Sequence, residues 1–225
     1  MKPRITLAEC PLPEGGDLLL QQHDGRMSLV IQGQQICGPA TRAVEEELAR
    51  LACAPFRPAR QPKLWIAGLG LGHSLAAVAN ELKQKRATFI IAEPLAALAE
   101  WHRLHLPDSP LHTESRLVFE NACDASTLAR HQGSLHAVLI HLDAAPAGPG
   151  NRPLTNDPRW LAAAYEALQP GGLLAVASSR MVSGLFRKLL RAGFEVAEHS
   201  TPISPNAKKT RLAPIWLARK HRGSS

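Results

Sequence analysis

Leu64-Trp65-Ile66-Ala67-Gly68-Leu69-Gly70-Leu71-Gly72-His73 is an apolar run that breaks into three alternating glycines. Four apolar residues bounded by a glycine turn suit a strand covered on both faces. Glycines take positive φ without strain and let another group approach the backbone closely. The N-terminus of a helix that follows such a turn is an anion site. The stretch therefore predicts the first βαβ unit of a nucleotide-binding α/β sheet, with Gly68, Gly70 and Gly72 under the ligand. Spacing narrows the ligand further. A dinucleotide fingerprint, GxGxxG, needs its third glycine at position 73, and the chain has His73 there. The pattern GxGxG argues against NAD. Glu93 ends the next strand, 21 residues after Gly72, where a carboxylate can accept hydrogen bonds from ribose hydroxyls.

On the C-terminal side of this stretch, apolar periodicity alternates regularly. Strands are expected at 64–67, 88–92, 117–120, 137–142 and 173–178, with helices at 74–85, 95–106, 126–131, 160–168 and 183–192. Two last strands, 194–198 and 214–218, have no helix between them and form a hairpin. This order predicts a mostly parallel seven-stranded sheet, with helices on both faces and one antiparallel strand. On the N-terminal side, 17–22 and 27–32 read as strands around His23-Asp24-Gly25-Arg26, since Asp-Gly is a strong hairpin signal. Residues 1–16 read as loose or edge-like. Residues 40–53 read as an amphipathic helix capped by Thr41, with Glu45, Glu46 and Glu47 favouring its dipole. Residues 54–62, with three prolines, read as a linker. We divide the chain into an N-terminal β-hairpin region, 1–39, and a Rossmann-like domain, 40–225.

Composition excludes several classes. The chain has 225 residues, 45% of them hydrophobic, enough for a core that buries about 70% of the unfolded surface without a staple. Cys10, Cys37, Cys53 and Cys123 show no CxxC or zinc-finger spacing and read as reduced thiols; no metal-ligand cluster is legible. No signal peptide and no apolar run of about 20 residues stands out, which leads us to expect no membrane and a cytoplasmic location. The net charge is +7 and the pI about 9.6. Lys208, Lys209 and Arg211 form one basic group and Arg219, Lys220 and Arg222 another. They read as a solvated tail before they read as a nucleic-acid site, since no aromatic-interleaved stripe accompanies them. RNA as a partner stays open on charge alone, and so does a homodimer.

Ligands of open α/β sheets bind beyond the carboxyl ends of the strands. The third strand runs out at Asp124, which could bond an adenine amino group, cap the next helix, or do both. The fourth runs out at His141-Leu142-Asp143. Asp143 falls where a reacting atom would sit, to act as a base or to attract a cationic group; His141 points to the same side. The Pro/Gly-rich loop at 144–154 reads as a lid or an inert connection.

Taken together, these residues resemble the class I methyltransferase fold, and within it the spermidine synthase family. The resemblance covers most of the chain: the small N-terminal β-structure, the glutamates at 45–47, GLGLG at 68–72, Glu93, Asp124, the stretch from Asp143, and Leu168-Gln169-Pro170-Gly171-Gly172. The runs EPLAALAEWHR (93–103), LDAAP (142–146), GFEVAEHS (193–200) and IWLARK (215–220) resemble bacterial spermidine-synthase-like proteins without a settled activity. The resemblance implies S-adenosylmethionine, or its decarboxylated form, held by Gly68, Gly70, Gly72, Glu93 and Asp124, with Asp143 catalytic. It also marks a departure. Polyamine aminopropyltransferases present Asp-x-x-Asp-Pro after the fourth strand, and here Ala145 stands before Pro146. With one tyrosine, Tyr165, and a basic balance, the chain makes a poor trap for a polycation. A methyltransferase of unknown small-molecule acceptor is the first reading. An aminopropyltransferase and a non-catalytic binding protein are the alternatives.

Overall fold

The structure, a computed structural model, describes residues 3–148, 150, 152–203 and 211–222. Positions 149 and 151 of the expected loop, and Lys208 and Lys209, lie outside the described residues.

Seven strands form the main sheet: β5 (Lys63–Ala67), β6 (Thr88–Ala92), β7 (Leu117–Glu120), β8 (Leu135–His141), β11 (Leu168–Ala177), β12 (Glu195–Pro202) and β13 (Leu212–Arg219). Their order across the sheet is β12-β13-β11-β8-β5-β6-β7. β13 alone runs against its neighbours, as the helix-free connection before it requires. The order reverses between β5 and β8, and that switch point opens a crevice at the carboxyl ends of the strands.

Helices α1 (Pro39–Cys53), α2 (His73–Glu81) and α3 (Ala96–His105) cover one face; α4 (Ala125–Ala129), α5 (Pro158–Ala167) and α6 (Leu185–Arg191) cover the other. Strand alternation divides the two cores. Leu64, Ile66, Phe89, Ile91, Ala137 and Leu139 meet the first helix layer. Trp65, Ala67, Ile90, Ala92, Val138 and Ile140 meet the second. Within each strand the two sets interleave, so a one-residue slip in register would exchange them.

The N-terminal region is larger than the hairpin expected. β2 (Asp17–His23) and β3 (Arg26–Ile31) do pair around Asp24 and Gly25, both at positive φ as a two-residue hairpin turn requires. β1 (Ile5–Pro11) and β4 (Gln34–Cys37) flank them, giving the order β1-β2-β3-β4. β1 is mostly exposed, so its apolar pattern is weak; β2 supplies its partner groups. β4 follows a second turn, Gln32-Gly33, again with both φ positive, but Gln-Gly is a fainter signal than Asp-Gly. Leu18, Leu20, Leu29 and Cys37 of this sheet join the same buried cluster as α1 and the main sheet.

Several details differ from expectation. Thr41 is the third residue of α1, and the cap is Gly38, whose N–H donates to Thr41 Oγ1 at 3.1 Å. α2 stops at Glu81, short of Lys85. The stretch 144–154 contains two short paired strands, β9 (Ala147–Gly148) and β10 (Arg152–Pro153), before a 3₁₀ turn at Leu154–Asn156.

α1 is the pivot between the two sheets. Leu48, fully buried on its inner stripe, should cost about 2–5 kcal/mol of stability when changed to Ala. Urea unfolding of Leu48→Ala with an unchanged m-value would measure this.

Candidate functional site

One cleft of about 1030 Å³ lies over the carboxyl ends of the parallel strands, roofed by the N-terminal sheet. Glu93 follows β6, Asp124 follows β7 and Asp143 follows β8, and all three line it. The fold thus brings three of the expected site residues to one wall.

The glycines are placed differently. Residues 68–72 are buried throughout and are not part of the cleft's wall. Gly68, Gly70 and Gly72 have φ of 84°, 52° and 80°. A Cβ on Gly68 would stand 2.9 Å from Pro146 Cδ and 3.3 Å from the Ala144 carbonyl oxygen. On Gly72 it would stand 3.1 Å from His102 Cε1. The segment 144–146, which leaves β8, therefore lies directly on Gly68, which makes room for it, while Gly72 makes room for His102 and Pro110.

Glu93 is buried, and both its oxygens are bonded: Leu69 N–H donates to Oε2 at 2.9 Å and Leu95 N–H to Oε1 at 2.8 Å. Burial pushes its pKa up, against the lowering effect of those two amides. A carboxylate has about four lone-pair positions, so one on each oxygen remains unused by these two amides. Asp124 caps α4. Its Oδ1 accepts from Thr127 N at 2.9 Å, Thr127 Oγ1 at 2.9 Å and Ser126 Oγ at 2.8 Å. These bonds, the Thr127 amide foremost, hold its pKa below the ordinary value, and Oδ2 stays available. Asp143 Oδ2 accepts from Ser179 N–H at 2.6 Å. His141 is buried beside it, with Nε2 at 3.8 Å from Asp143 Oδ2, and neither ring nitrogen meets a hydrogen-bond partner among the described residues.

Behind the turn lies a polar cluster that sequence reasoning missed. Glu45, buried on α1, accepts from Ser74 N–H at 3.0 Å and Ser74 Oγ at 2.7 Å through Oε2. It thereby caps α2, whose own cap is a glycine without a side chain. His73 Nδ1 stands 3.5 Å and Cys37 Sγ 3.7 Å from Oε1. Burial alone would raise the pKa of Glu45; bonding to His73, the nearby His141 and Ser74 outweigh it and lower it to about 2. Cys37, Glu45 and His73 bring donor atoms within 4.8 Å of one another, but the positive end of α2 disfavours a cation there. A signal for Glu45 existed. Of three consecutive glutamates, only Glu45 falls three residues before buried Leu48 and four before buried Ala49.

His102, also unforeseen, is fully buried on α3. Its Nε2 lies 2.9 Å from the Gly70 carbonyl oxygen and its Nδ1 2.6 Å from Ser109 Oγ. A carbonyl only accepts, so Nε2 carries the proton. Burial lowers the pKa, so the ring is neutral and Nδ1 accepts from the Ser109 hydroxyl.

No protein-family model and no curated protein matches the chain. Solved structures do match its fold. A spermidine synthase from Thermotoga maritima superposes with a TM-score of 0.75 at 15% identity, over 96% of this chain and 73% of that one. A probable spermidine synthase from Corynebacterium glutamicum ATCC 13032 gives 0.63 at 17% identity, over 98% and 81%. A predicted O-methyltransferase from Agrobacterium tumefaciens gives 0.52 at 20% identity, over 80% of this chain and 81% of that one. The chain thus has the Rossmann-like fold that spermidine synthases and methyltransferases share. Among the described residues, no helix is long and apolar enough to cross a membrane.

The Glu45 cap has a pH signature. A carboxylate at about 2 when folded, against an ordinary 4.5, stabilises the fold above pH about 4.5 and loses that contribution as the pH falls toward 2. Glu45→Gln should therefore be much less stable than the wild type at pH 6, with the gap narrowing by pH 3. Denaturant titrations at the two pH values check this; a gap that stays constant would count against the assignment.

Proposed function

We propose that the chain is a transferase that uses S-adenosylmethionine, and that it moves the methyl group to a small acceptor. The observation that carries this reading is the row of Glu93, Asp124 and Asp143, at the ends of three strands, along one cleft. The residues present fit such a cofactor. Glu93 keeps a lone pair on each oxygen for the two ribose hydroxyls, and Asp124 Oδ2 is available to an adenine amino group. Asp143, held by the Ser179 amide, adds negative charge where a sulfonium would lie. The cofactor's sulfonium supplies an alkyl group already activated for transfer. The protein then has to hold and orient the reactants and exclude water, which is where proximity gives its largest effect. The N-terminal sheet supports the last of these: Leu18, Leu29 and Ile31 roof the cleft. In this reading the glycines act indirectly: Gly68 lets residues 144–146 settle at the floor, and Gly70 and Gly72 let the turn pack against Cys37, His102 and Pro110.

Aminopropyl transfer from the decarboxylated cofactor is the second reading. The likeness to spermidine synthases favours it; one such structure holds the transition-state analogue AdoDATO. Ala145, which lines the cleft where that chemistry wants a second carboxylate, favours methyl transfer.

Isothermal titration with S-adenosylmethionine and with its decarboxylated form separates these readings. We expect S-adenosylmethionine to bind, and Glu93→Gln to weaken it about tenfold or more, since each tenfold is 1.4 kcal/mol. Gln is the better probe than Ala, because it keeps an acceptor for one of the two loop amides. Silence with both cofactors would sink the transferase reading. Release of methylthioadenosine in the presence of putrescine would move the reaction to aminopropyl transfer.

A further inference from the structure

We propose that the acceptor end of the cleft is an oxyanion site, built by Arg152, Arg159 and Arg180, and that the acceptor carries a carboxylate or phosphate group. This rests on the transferase reading for the word acceptor, and on the arginines alone for the site.

The three come from separate segments: Arg152 from β10, Arg159 from the first turn of α5, and Arg180 from just beyond β11. All three line the same cleft, and each is exposed. Arg42, Arg50, Arg57, Arg103, Arg116 and Arg130 each meet a glutamate. Like Arg26, Arg60, Arg86 and Arg187, the three cleft arginines form no such pair among the described residues, and they do so in a cleft that Asp143 and Asp157 also line. Each of those carboxylates bonds a main-chain amide through one oxygen. Asp143 Oδ2 is turned to the Ser179 amide at 2.6 Å, and Asp157 Oδ1 to the Arg159 amide at 2.8 Å, where it caps α5.

The two carboxylates are each held by a main-chain amide, and the three guanidiniums are exposed. Each guanidinium carries five N–H donors in a planar fork matched to carboxylate and phosphate. A polyamine, with donors and positive charge only, finds repulsion here. An oxyanion in the cleft finds guanidinium forks, and Leu142 and Val182, which line the same cleft, offer apolar surface.

The test uses the full chain and three probes in separate calorimetric titrations: malonate, inorganic pyrophosphate and putrescine. We expect one of the two anions to bind saturably, and binding to weaken about tenfold or more in the Arg159→Gln, Arg180→Gln double variant. Both side chains are exposed, and an unchanged melting temperature verifies that the variant is folded. Whichever anion binds more tightly tells carboxylate from phosphate. Failure of both anions to bind, equal binding by the double variant, or binding of putrescine instead would overturn the proposal. The cofactor titration run on the same sample keeps the two ideas apart. Anion binding without S-adenosylmethionine binding leaves the oxyanion site standing and fails the transferase reading; the reverse result fails the oxyanion site alone.

Discussion

A five-residue turn buried on every side, Gly68 to Gly72, sets the terms for the rest of the structure. Its main-chain groups have no access to water, so each needs a partner inside the protein. Gly68 N–H donates to the Ala92 carbonyl at 2.9 Å. Leu69 N–H goes to Glu93, and the Gly70 carbonyl accepts from His102. Beyond the turn, Ser74 N–H goes to Glu45. Three elements and one residue thus send a polar group to the turn or to the helix start after it: β6, Glu93, α3 and α1. Each is a buried polar side chain or strand end that would be costly elsewhere and is satisfied here. The arrangement ties the first helix layer to the middle of the sheet, and it fixes where the carboxyl ends of β5, β6 and β8 stand relative to one another.

This explains why Glu93 can serve two purposes. Its bonds to Leu69 and Leu95 hold the turn and the start of the segment before α3, and they also orient the carboxylate edge that faces the cleft. A side chain so held loses little further freedom when a ligand binds, which is the advantage of pre-organisation. Asp124 works the same way. The bonds that cap α4 fix one oxygen and leave the other pointing outward from a rigid base. At Asp124 the structural role expected alongside a ligand role is present, and a carboxylate has more acceptor sites than that role uses.

Much of the architecture was legible because its signals are periodic. The alternation of short apolar strands with helical stripes marks the sheet, and Asp24-Gly25 marks the hairpin. β1 and β4 were missed because exposed or Gln-rich strands carry little pattern; their stability comes from pairing with β2 and β3. The row of Glu93, Asp124 and Asp143 was legible because strand ends can be counted. Glu45 and His102 were not singled out, since their roles depend on which helix end or carbonyl lies across from them in space. The glycines carry the sharpest lesson. Their spacing marks a tight strand-to-helix turn, but a residue without a side chain does not say what fills the space beside it. In this chain Ala144 to Pro146 fill it beside Gly68, and His102 and Pro110 beside Gly72.

That filling shapes the chemistry of the whole cleft. With residues 144–146 seated on the turn, the path leaving β8 is held inward, and the chain must return to the surface through β9 and β10 before α5 begins. This detour carries Arg152 to the cleft that Glu93 and Asp124 also line, and the start of α5 adds Arg159. The absence of a side chain at Gly68 and of a carboxylate at position 145 thus belong to one local solution. Small residues close to the turn remove an acidic group from the floor, and the return path brings basic ones to the rim. A cleft that is acidic where strands β6 and β7 end and basic where β11 and α5 meet is polarised along its length. Such a polarity suits a ligand pair with hydroxyls and a cation at one end and an oxyanion at the other.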